Sequence, residues 1–316
     1  MSAPTPWLSV VMPVHGGERW IDTTLASLAA EADSGIEVLV IDSSLTPATR
    51  AIAEGYADRL ALRVVTRADL PGWPAKTNYG VAIARAAHVC WLHQDDLWLP
   101  GRAAAVRGWI AEAPDAVLHL AASAIVDGAG RVQGIWRCPF TEDGAVAADT
   151  VLERLLVQNF VSAPAPVFRR DAWAACGGLD EFLWYTADWD AWLKLAGEGA
   201  VRHHTAVTTA FRVHGHSLTV TGSRDAADFR AQMETVLDRH AARLGRRARS
   251  VRRASRASIA VNTALAAAAV GKPGGVLPAL ARVLALGPAG IHRYLRDSRI
   301  VERVMPRLRA KLAGGF

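Results

Sequence analysis

Short β-branched runs alternate with helical patterns through the first hundred residues, and this alternation constrains the fold more than any other feature. Strands are predicted at 8–14, 36–41, 62–65 and 88–92, with helices at 20–30, 46–56 and 76–87 between them. This order favours an open α/β fold, a mostly parallel sheet with helices on both faces. Ligands of such sheets bind beyond the carboxyl ends of the strands, so we expect the chemistry in the loops that follow Val14, Ile41 and Leu92.

The rest of the chain continues this pattern and then becomes helical. Further strands are predicted at 117–126, 165–168 and 207–213, a hairpin turn at 127–130, and helices at 103–113, 151–158, 171–176 and 188–196. Beyond residue 225 every segment has a helical pattern, including two short helices at 259–269 and 276–286. We place a domain boundary near 240, with residues 1–240 as the α/β domain and 241–316 as a basic helical C-terminal region.

Charge is divided unevenly along the chain. Residues 241–316 carry 16 Arg or Lys against 2 Asp or Glu, whereas residues 1–240 carry 20 against 28. A tail of this charge is expected to meet something anionic, so we predict peripheral membrane contact, or contact with a lipid-linked acceptor, through 243–256 and 293–311. A solvated helical cap or a homodimer interface is the alternative.

Several classes of protein lose support from the composition and the motifs that are absent. The N-terminus lacks a signal-peptide pattern and no run of about 18 apolar residues is present, which predicts a cytoplasmic protein, either soluble or peripheral on the inner face of the membrane. Three scattered cysteines predict neither a disulfide framework nor a zinc site. The patterns GxGxxG, GxxxxGK[ST] and GxSxG do not occur. The basic tail lacks interleaved aromatic residues, so we expect no nucleic-acid partner.

Two adjacent carboxylates, Asp95 and Asp96, follow the fourth predicted strand. Adjacent carboxylates repel each other unless a cation, a proton or nearby amides offset the charge. Mn²⁺ or Mg²⁺ would suit them, because these ions take one or two carboxylates together with substrate phosphates. The alternative is that Asp96 caps the helix that begins near Pro100.

Three other positions carry weaker signals. Asp42 ends the second strand and could accept a hydrogen bond from a nucleobase or ribose, or could form a turn with Ser43. Asp188 lies at a helix start among aromatic residues, which suits either a general base beside a sugar or a simple cap. His214 and His216 share one side of an extended run, a spacing that permits metal ligation without requiring it.

Seven segments in this order resemble the family 2 glycosyltransferases of the GT-A fold, a Rossmann-like fold with a mostly parallel central sheet. They are 9–14, 37–42, 75–80, 91–100, 177–181, 188–194 and 211–214. The resemblance covers about residues 7–220. It implies an inverting transferase that moves a sugar from a nucleotide sugar, with a UDP-sugar favoured, to a hydroxyl acceptor in glycan or glycoconjugate biosynthesis.

The same resemblance implies a role for each matching position. Asp188 would be the catalytic base, and Asp95 with His214 would hold Mn²⁺ or Mg²⁺. The nucleotide sugar would contact Pro13, Val14, His15, Glu18, Asp42, Ser43, Lys76, Asn78, Gln94, Asp95 and Asp96. The acceptor or the transferred sugar would contact Trp98, Asp180, Glu181, Trp184, Tyr185 and Trp189.

Three positions depart from the family pattern. His93 stands where the acidic motif usually begins with Asp, Ser43 occupies a position that is often acidic, and Ala187 one that is often Glu. These departures keep two alternatives open: a nucleotide-sugar-binding module with weak catalysis, and a nucleotidyltransferase, which the lack of a Gly-rich basic N-terminal loop disfavours.

Overall fold

A computed structural model describes residues 4–215, 217 and 225–312 of the chain. The strands in this part are β1 Leu8–Val14, β2 Ile36–Asp42, β3 Ala61–Thr66, β4 His88–Trp91, β5 Leu97–Trp98, β6 Leu118–Val126, β7 Val132–Trp136, β8 Gly144–Val146, β9 Val167–Arg169 and β10 Val201–Arg212. The helices before residue 200 are α1 Ile21–Ala29, α2 Ala48–Glu54, α3 Trp73–Ile83, α4 Arg102–Glu112, α5 Ala148–Val157, α6 Arg170–Ala175 and α7 Ala187–Leu195. Five more follow: α8 Ala226–Ala241, α9 Ala248–Ala269, α10 Val276–Leu284, α11 Gly287–Ser298 and α12 Ile300–Leu312.

The strands form one mixed sheet with the order β3-β2-β1-β4-β9-β6-β10-β5, to which β7 is added beside β6 and β8 beside β10. Strands β3, β2, β1 and β4 are parallel, as the βα alternation predicts. Val14 pairs with Asp42, and Asp42 with Thr66, so three carboxyl ends lie at the same edge. The predicted loop cluster is thereby assembled at that edge.

Both faces of the sheet are covered by helices. Val11 of β1 packs into a large cluster that includes Trp91, Phe168 and Trp192, whereas its neighbours Val10 and Met12 pack into a second cluster. This division of successive residues between two cores is the side-chain alternation of a strand buried on both sides.

The second half of the sheet departs from a simple parallel arrangement. Strand β9 is antiparallel to both β4 and β6, while β10 runs parallel to β6. Strand β10 begins at Val201, six residues before the predicted start, with register shifts between His204 and Thr209. His203 and His204 are buried there, so a polar stretch that looked like a loop is part of the sheet.

The helical tail packs on the domain. Val251, Ala254 and Ala257 of α9 belong to the same cluster as Trp91 and Phe168, and Ser255 Oγ donates to the Leu156 carbonyl at 2.6 Å. The boundary near residue 240 stays a prediction. Among the described residues no single helix has the length and apolar character to cross a bilayer, although the bent pair Pro273–Leu284 and Gly287–Ser298 meets both criteria together.

Candidate active site

A cavity of about 680 Å³ opens at the carboxyl edge of the sheet. Its walls come from the loops after β1 and β4, the start of α3, the start of α7 and the end of β10. Twelve of the predicted site residues line it: Pro13, His15, Lys76, Gln94, Asp95, Asp96, Glu181, Trp184, Tyr185, Asp188, Trp189 and His214. Residues from distant parts of the chain therefore meet in one pocket, as the motif order predicted. His216 lies outside the described residues.

The two adjacent carboxylates have separate environments. Asp95 is part-exposed, and its Oδ2 lies 2.9 Å from His214 Nε2. Asp96 is buried, and its Oδ1 accepts a hydrogen bond from the backbone N–H of Arg212 at 3.0 Å. Burial raises the pKa of Asp96 to about 6. Helix α4 begins only at Arg102, with Gly101 before it and no side-chain cap, so the alternative in which Asp96 caps this helix is wrong.

Arg212 holds this acidic loop in place. Its Nε donates to the Asp95 carbonyl at 2.8 Å, and its Nη1 donates to the Asp127 carbonyl at 3.2 Å. The guanidinium also lies over the ring of Trp20, 4.5 Å from the centroid. Because Arg212 ends β10 and precedes His214 by two residues, the same strand end fixes both the acidic loop and the histidine beside it.

The loop after β1 is fixed by one side chain from the loop after β4 and one from helix α3. Gln94 Oε1 accepts from the His15 N–H at 2.8 Å and Gln94 Nε2 donates to the His15 carbonyl at 3.1 Å, a reciprocal pair that copies strand pairing. Lys76 Nζ donates to the Val14 carbonyl at 2.9 Å and to Ser43 Oγ at 2.8 Å. Burial lowers the pKa of Lys76 to about 8. Lys76 thus ties β1 to β2 at the pocket wall.

Asp188 lies in the first turn of α7, part-exposed in the cavity. Its Oδ1 accepts from the Trp189 N–H at 2.7 Å, and its Oδ2 accepts from Asn159 Nδ2 at 3.0 Å. Desolvation raises the pKa of this carboxyl to about 6 despite those two hydrogen bonds. Such a carboxylate is ionised at neutral pH yet accepts a proton more readily than an exposed aspartate.

His93 interacts electrostatically with all three of these carboxylates. Its Nδ1 lies 3.7 Å from Asp96 Oδ2, and the negative charges of Asp96, Asp95 and Asp188 help to raise its pKa above the usual value. Where a third acid was expected, the chain therefore places a group that becomes a cation when protonated.

Seven predicted residues do not line the cavity, and four of them make other contacts. Asp42 is buried, and its Oδ1 accepts from the Ser44 N–H at 2.8 Å, which is the turn geometry considered as its alternative. Glu18 accepts from Thr46. Asn78 holds the loop at Leu179 and Glu181, and Asp180 pairs with an arginine of α8.

The other three predicted residues also lack direct contact with the cavity. Trp98 is 3% exposed and packs in the core beneath β5, so the acceptor contact predicted for it has no support in the structure. Val14 and Ser43 lie just behind the pocket wall, where they accept from Lys76.

Other pocket residues were not selected from the sequence. Asn159 orients Asp188, Trp73 lies edge-on to His93 with ring centroids 5.2 Å apart, and Trp20, Trp136 and Phe211 add aromatic surface. Helices α9 and α12 contribute Asn262 and Arg303. Only the aromatic richness of the chain hinted at this wall, since 11 of its residues are tryptophan.

The site suits a divalent cation held in part by substrate. Within the described ranges no group of three or more His, Cys, Asp or Glu could enclose an ion. Asp95 and His214 nevertheless meet at the cavity, and Asp96 Oδ2 is buried without a hydrogen-bond partner among the described residues. Mg²⁺ and Mn²⁺ keep waters and take phosphate oxygens, so one or two protein ligands are enough.

Comparison with known proteins identifies a family domain in the first half of the chain. A family model described as glycosyl transferase family 2 matches residues 9–156, which include the acidic loop but end before Asp188. These residues, just under half of the chain, therefore form a glycosyltransferase family 2 domain. An uncharacterized glycosyltransferase of Rickettsia typhi is 22% identical over 231 residues, 72% of this chain and 70% of that protein. The validoxylamine A glucosyltransferase of Streptomyces hygroscopicus subsp. limoneus is 38% identical over 82 residues, 25% of this chain and 17% of that enzyme.

Solved structures share the fold of this chain. S. aureus TarS 1–349 in complex with UDP-GlcNAc is 17% identical, with a TM-score of 0.57 over 94% of this chain and 90% of that one. The mannosyltransferase PcManGT of Pyrobaculum calidifontis, in complex with GDP-Man and Mn²⁺, is 19% identical, with a TM-score of 0.52 over 93% and 84%. The predicted GT-A fold with added C-terminal helices is confirmed, and the chain is a glycosyltransferase.

Proposed function

We propose that this enzyme moves a sugar from a nucleotide-sugar donor, with a UDP-sugar favoured, to a hydroxyl acceptor in glycan or glycoconjugate biosynthesis, with inversion at the anomeric carbon and with Mn²⁺ or Mg²⁺ as cofactor. The observation that carries the proposal is that Asp188, with a pKa of about 6, lines the same cavity as the Asp95–His214 pair. A single displacement needs a general base for the acceptor and a site that stabilises the departing diphosphate, and this pocket has a candidate for each.

Asp188 acts as the general base. Asn159 and the Trp189 N–H hold its carboxylate in one orientation, so a lone pair is directed at an acceptor hydroxyl in the cavity. The acceptor oxygen gives its proton to Asp188 as it bonds to the anomeric carbon, while the bond from that carbon to the phosphate oxygen breaks. One displacement from the opposite face inverts the anomeric centre.

The loops after β1 and β4 bind the donor. Lys76 supplies positive charge behind the wall formed by Pro13 and His15, and Gln94 fixes the conformation of that wall. The cation, when bound at Asp95 and His214, would neutralise charge on the departing diphosphate. TarS with UDP-GlcNAc and PcManGT with GDP-Man and Mn²⁺ support nucleotide sugars as donors and a divalent metal as cofactor.

The acceptor binds beside the aromatic residues that precede helix α7. Trp184 and Tyr185 are part-exposed, lie close to Asp188 along the chain and line the same cavity, whereas Trp189 is buried and donates to the Leu155 carbonyl. Indole and phenol faces pack well on the apolar faces of sugar rings, so a saccharide-bearing acceptor fits this wall. The cytoplasmic location and the homodimer remain predictions.

The experiment is a donor panel of UDP-GlcNAc, UDP-glucose and GDP-mannose with Mn²⁺, followed by NMR of the anomeric product. We expect donor turnover that EDTA abolishes, a product of inverted configuration, and a loss of about 10²–10⁴-fold in kcat for Asp188→Asn. Asp149→Asn is the matched control, because Asp149 also lies in the first turn of a helix but is exposed. Retained configuration, or an Asp188→Asn variant as fast as wild type, contradicts the proposal.

A further inference from the structure

Exposed apolar side chains are concentrated in the tail. Among the described residues, twelve large hydrophobic side chains are exposed, and nine of these lie between 265 and 305. Helix α10 carries the densest set: Leu277 is 77% exposed, Leu280 51% and Leu284 62%. Residues at this spacing lie along one side of a helix, so they form a continuous ridge, which we name the α10 ridge.

The opposite side of α10 is packed against α9. Ala279 lies in a small cluster with Ala260 and Ala264, and a side chain at Gly275 would meet Ala264. Near the other end, Arg253 Nη2 donates to the Ala285 carbonyl at 2.8 Å. The two helices are therefore antiparallel, with residues 264, 260 and 253 beside 275, 279 and 285.

This register places arginines beside the α10 ridge. Arg249, Arg253 and Arg256 follow one another at spacings of four and three on α9, so they share a face that reaches α10 at Ala285. All three are exposed, as is Arg282 on α10 itself. No acidic side chain in the described part of the chain pairs with Arg249, Arg256 or Arg282, and the sequence has no Asp or Glu from 239 to 296.

We propose that the α10 ridge inserts into the interface of an anionic lipid bilayer while Arg249, Arg256 and Arg282 contact the headgroups. An apolar ridge that a cationic rim flanks is the composition of helices that lie in the plane of a membrane surface. A second copy of this chain is a poorer occupant, because a symmetric contact would place two such cationic rims against each other. The inference does not depend on the reaction proposed for the cavity.

The orientation of α9 leaves the cavity available. Asn262 of α9 lines the cavity and lies six residues from Arg256, on a different side of the helix. One helix thus presents one side to the active site and another to the bilayer. An enzyme bound in this way would meet an acceptor at the membrane surface without moving the site.

The test is flotation of the full chain with vesicles of phosphatidylcholine alone and of phosphatidylcholine containing 30% phosphatidylglycerol. We expect binding only to the anionic vesicles and a decline as NaCl is raised, because salt screens the headgroup charge. Arg249, Arg256 and Arg282 changed together to Gln should lower the partition coefficient by about 100-fold, since each surface arginine contributes about fivefold. Leu277→Ser with Leu280→Ser and Leu284→Ser should lower it by at least about tenfold.

Matched controls separate the ridge from general surface effects. Leu45→Ser removes a leucine that is 94% exposed on the loop before α2, and should leave partitioning unchanged. Thermal unfolding and donor turnover should be the same in the triple variants as in wild type. Equal binding to neutral vesicles, no loss in either triple variant, or a concentration-dependent dimer that the leucine variant abolishes in place of vesicle binding would each overturn the proposal.

Discussion

Asn159→Leu tests whether Asp188 is the base. Asn159 Nδ2 donates to Asp188 Oδ2, and this hydrogen bond is one of the contacts that lower the pKa of a carboxyl otherwise raised by burial. A hydrogen bond to a charged group contributes about 1.5 kcal/mol, and 1.36 kcal/mol corresponds to one pKa unit. Removing it should therefore raise the pKa of Asp188 by about one unit.

The assay is kcat against pH at saturating donor. The ionised base is the active form, so wild-type kcat should fall as the pH drops through about 6, while the variant should already fall near pH 7. Asp96 also has a pKa of about 6, so the wild-type midpoint alone does not assign the base. Asn159 contacts Asp188 and not Asp96, so only the shift in the variant makes the assignment.

Asn262→Leu is the matched control, because Asn262 lines the same cavity but donates to Gln158 and not to Asp188. It should leave the midpoint in place even if it changes KM. General damage from Asn159→Leu would lower kcat at every pH without moving the midpoint. An unmoved midpoint in a folded Asn159→Leu protein refutes the base assignment.

Three further predictions concern the scaffold. Gly80→Ala should lower the free energy of unfolding by about 1–3 kcal/mol in urea titrations, because the added Cβ would clash with Val11 Cγ1 in the core. Gly108→Ala is the control: its Cβ would meet no atom within 4 Å, so this variant should not lower the free energy of unfolding. Asp190 on α7 is buried and pairs with Arg239 and His240 of α8, so Asp190→Asn should lower the free energy of unfolding by about 3–5 kcal/mol at pH 7. Its partners lower the pKa of Asp190 to about 2, below the unfolded value, so its stabilisation is lost as the pH falls from about 4 to 2. The difference between variant and wild type should therefore be smaller at pH 3 than at pH 7, as unfolding at both pH values measures. Arg212→Lys loses the forked donor set, and its free energy of unfolding should fall by about 1–3 kcal/mol.

The first half of the fold was predictable because its signals are local. Strands β1 to β4 are short β-branched runs between helical patterns, and their parallel order follows from that alternation. The predicted strand β10 was too short, because the polar residues His203 and His204 gave no strand pattern in the sequence. Their burial follows from the pairing of β10 with β6. The two-residue strand β5 is defined by its pairing with β10, which no local pattern encodes.

The residues of the candidate site likewise include some that the sequence could predict and some that it could not. Residues at strand ends, such as Gln94 and Asp95, could be placed at the cavity from the sheet alone, because carboxyl ends of parallel strands share an edge. Asn159 and Asn262 could not, because they reach the cavity from segments whose position depends on how α5 and α9 pack. The acceptor contact predicted for Trp98 rested on its place beside the acidic motif, but its side chain packs in the core.

The different environments of Asp95 and Asp96 depend on a residue that is distant in sequence, Arg212. Two neighbouring carboxylates at a strand end repel each other unless a cation, a proton or hydrogen-bond donors offset their charge. The end of β10 gives them separate roles. The Arg212 backbone N–H donates to the buried Asp96 carboxylate, and the Arg212 side chain donates to the Asp95 carbonyl. The Asp95 carboxylate lies beside His214 at the cavity. The acidic motif is thus completed from more than a hundred residues away, by the same strand that supplies its histidine.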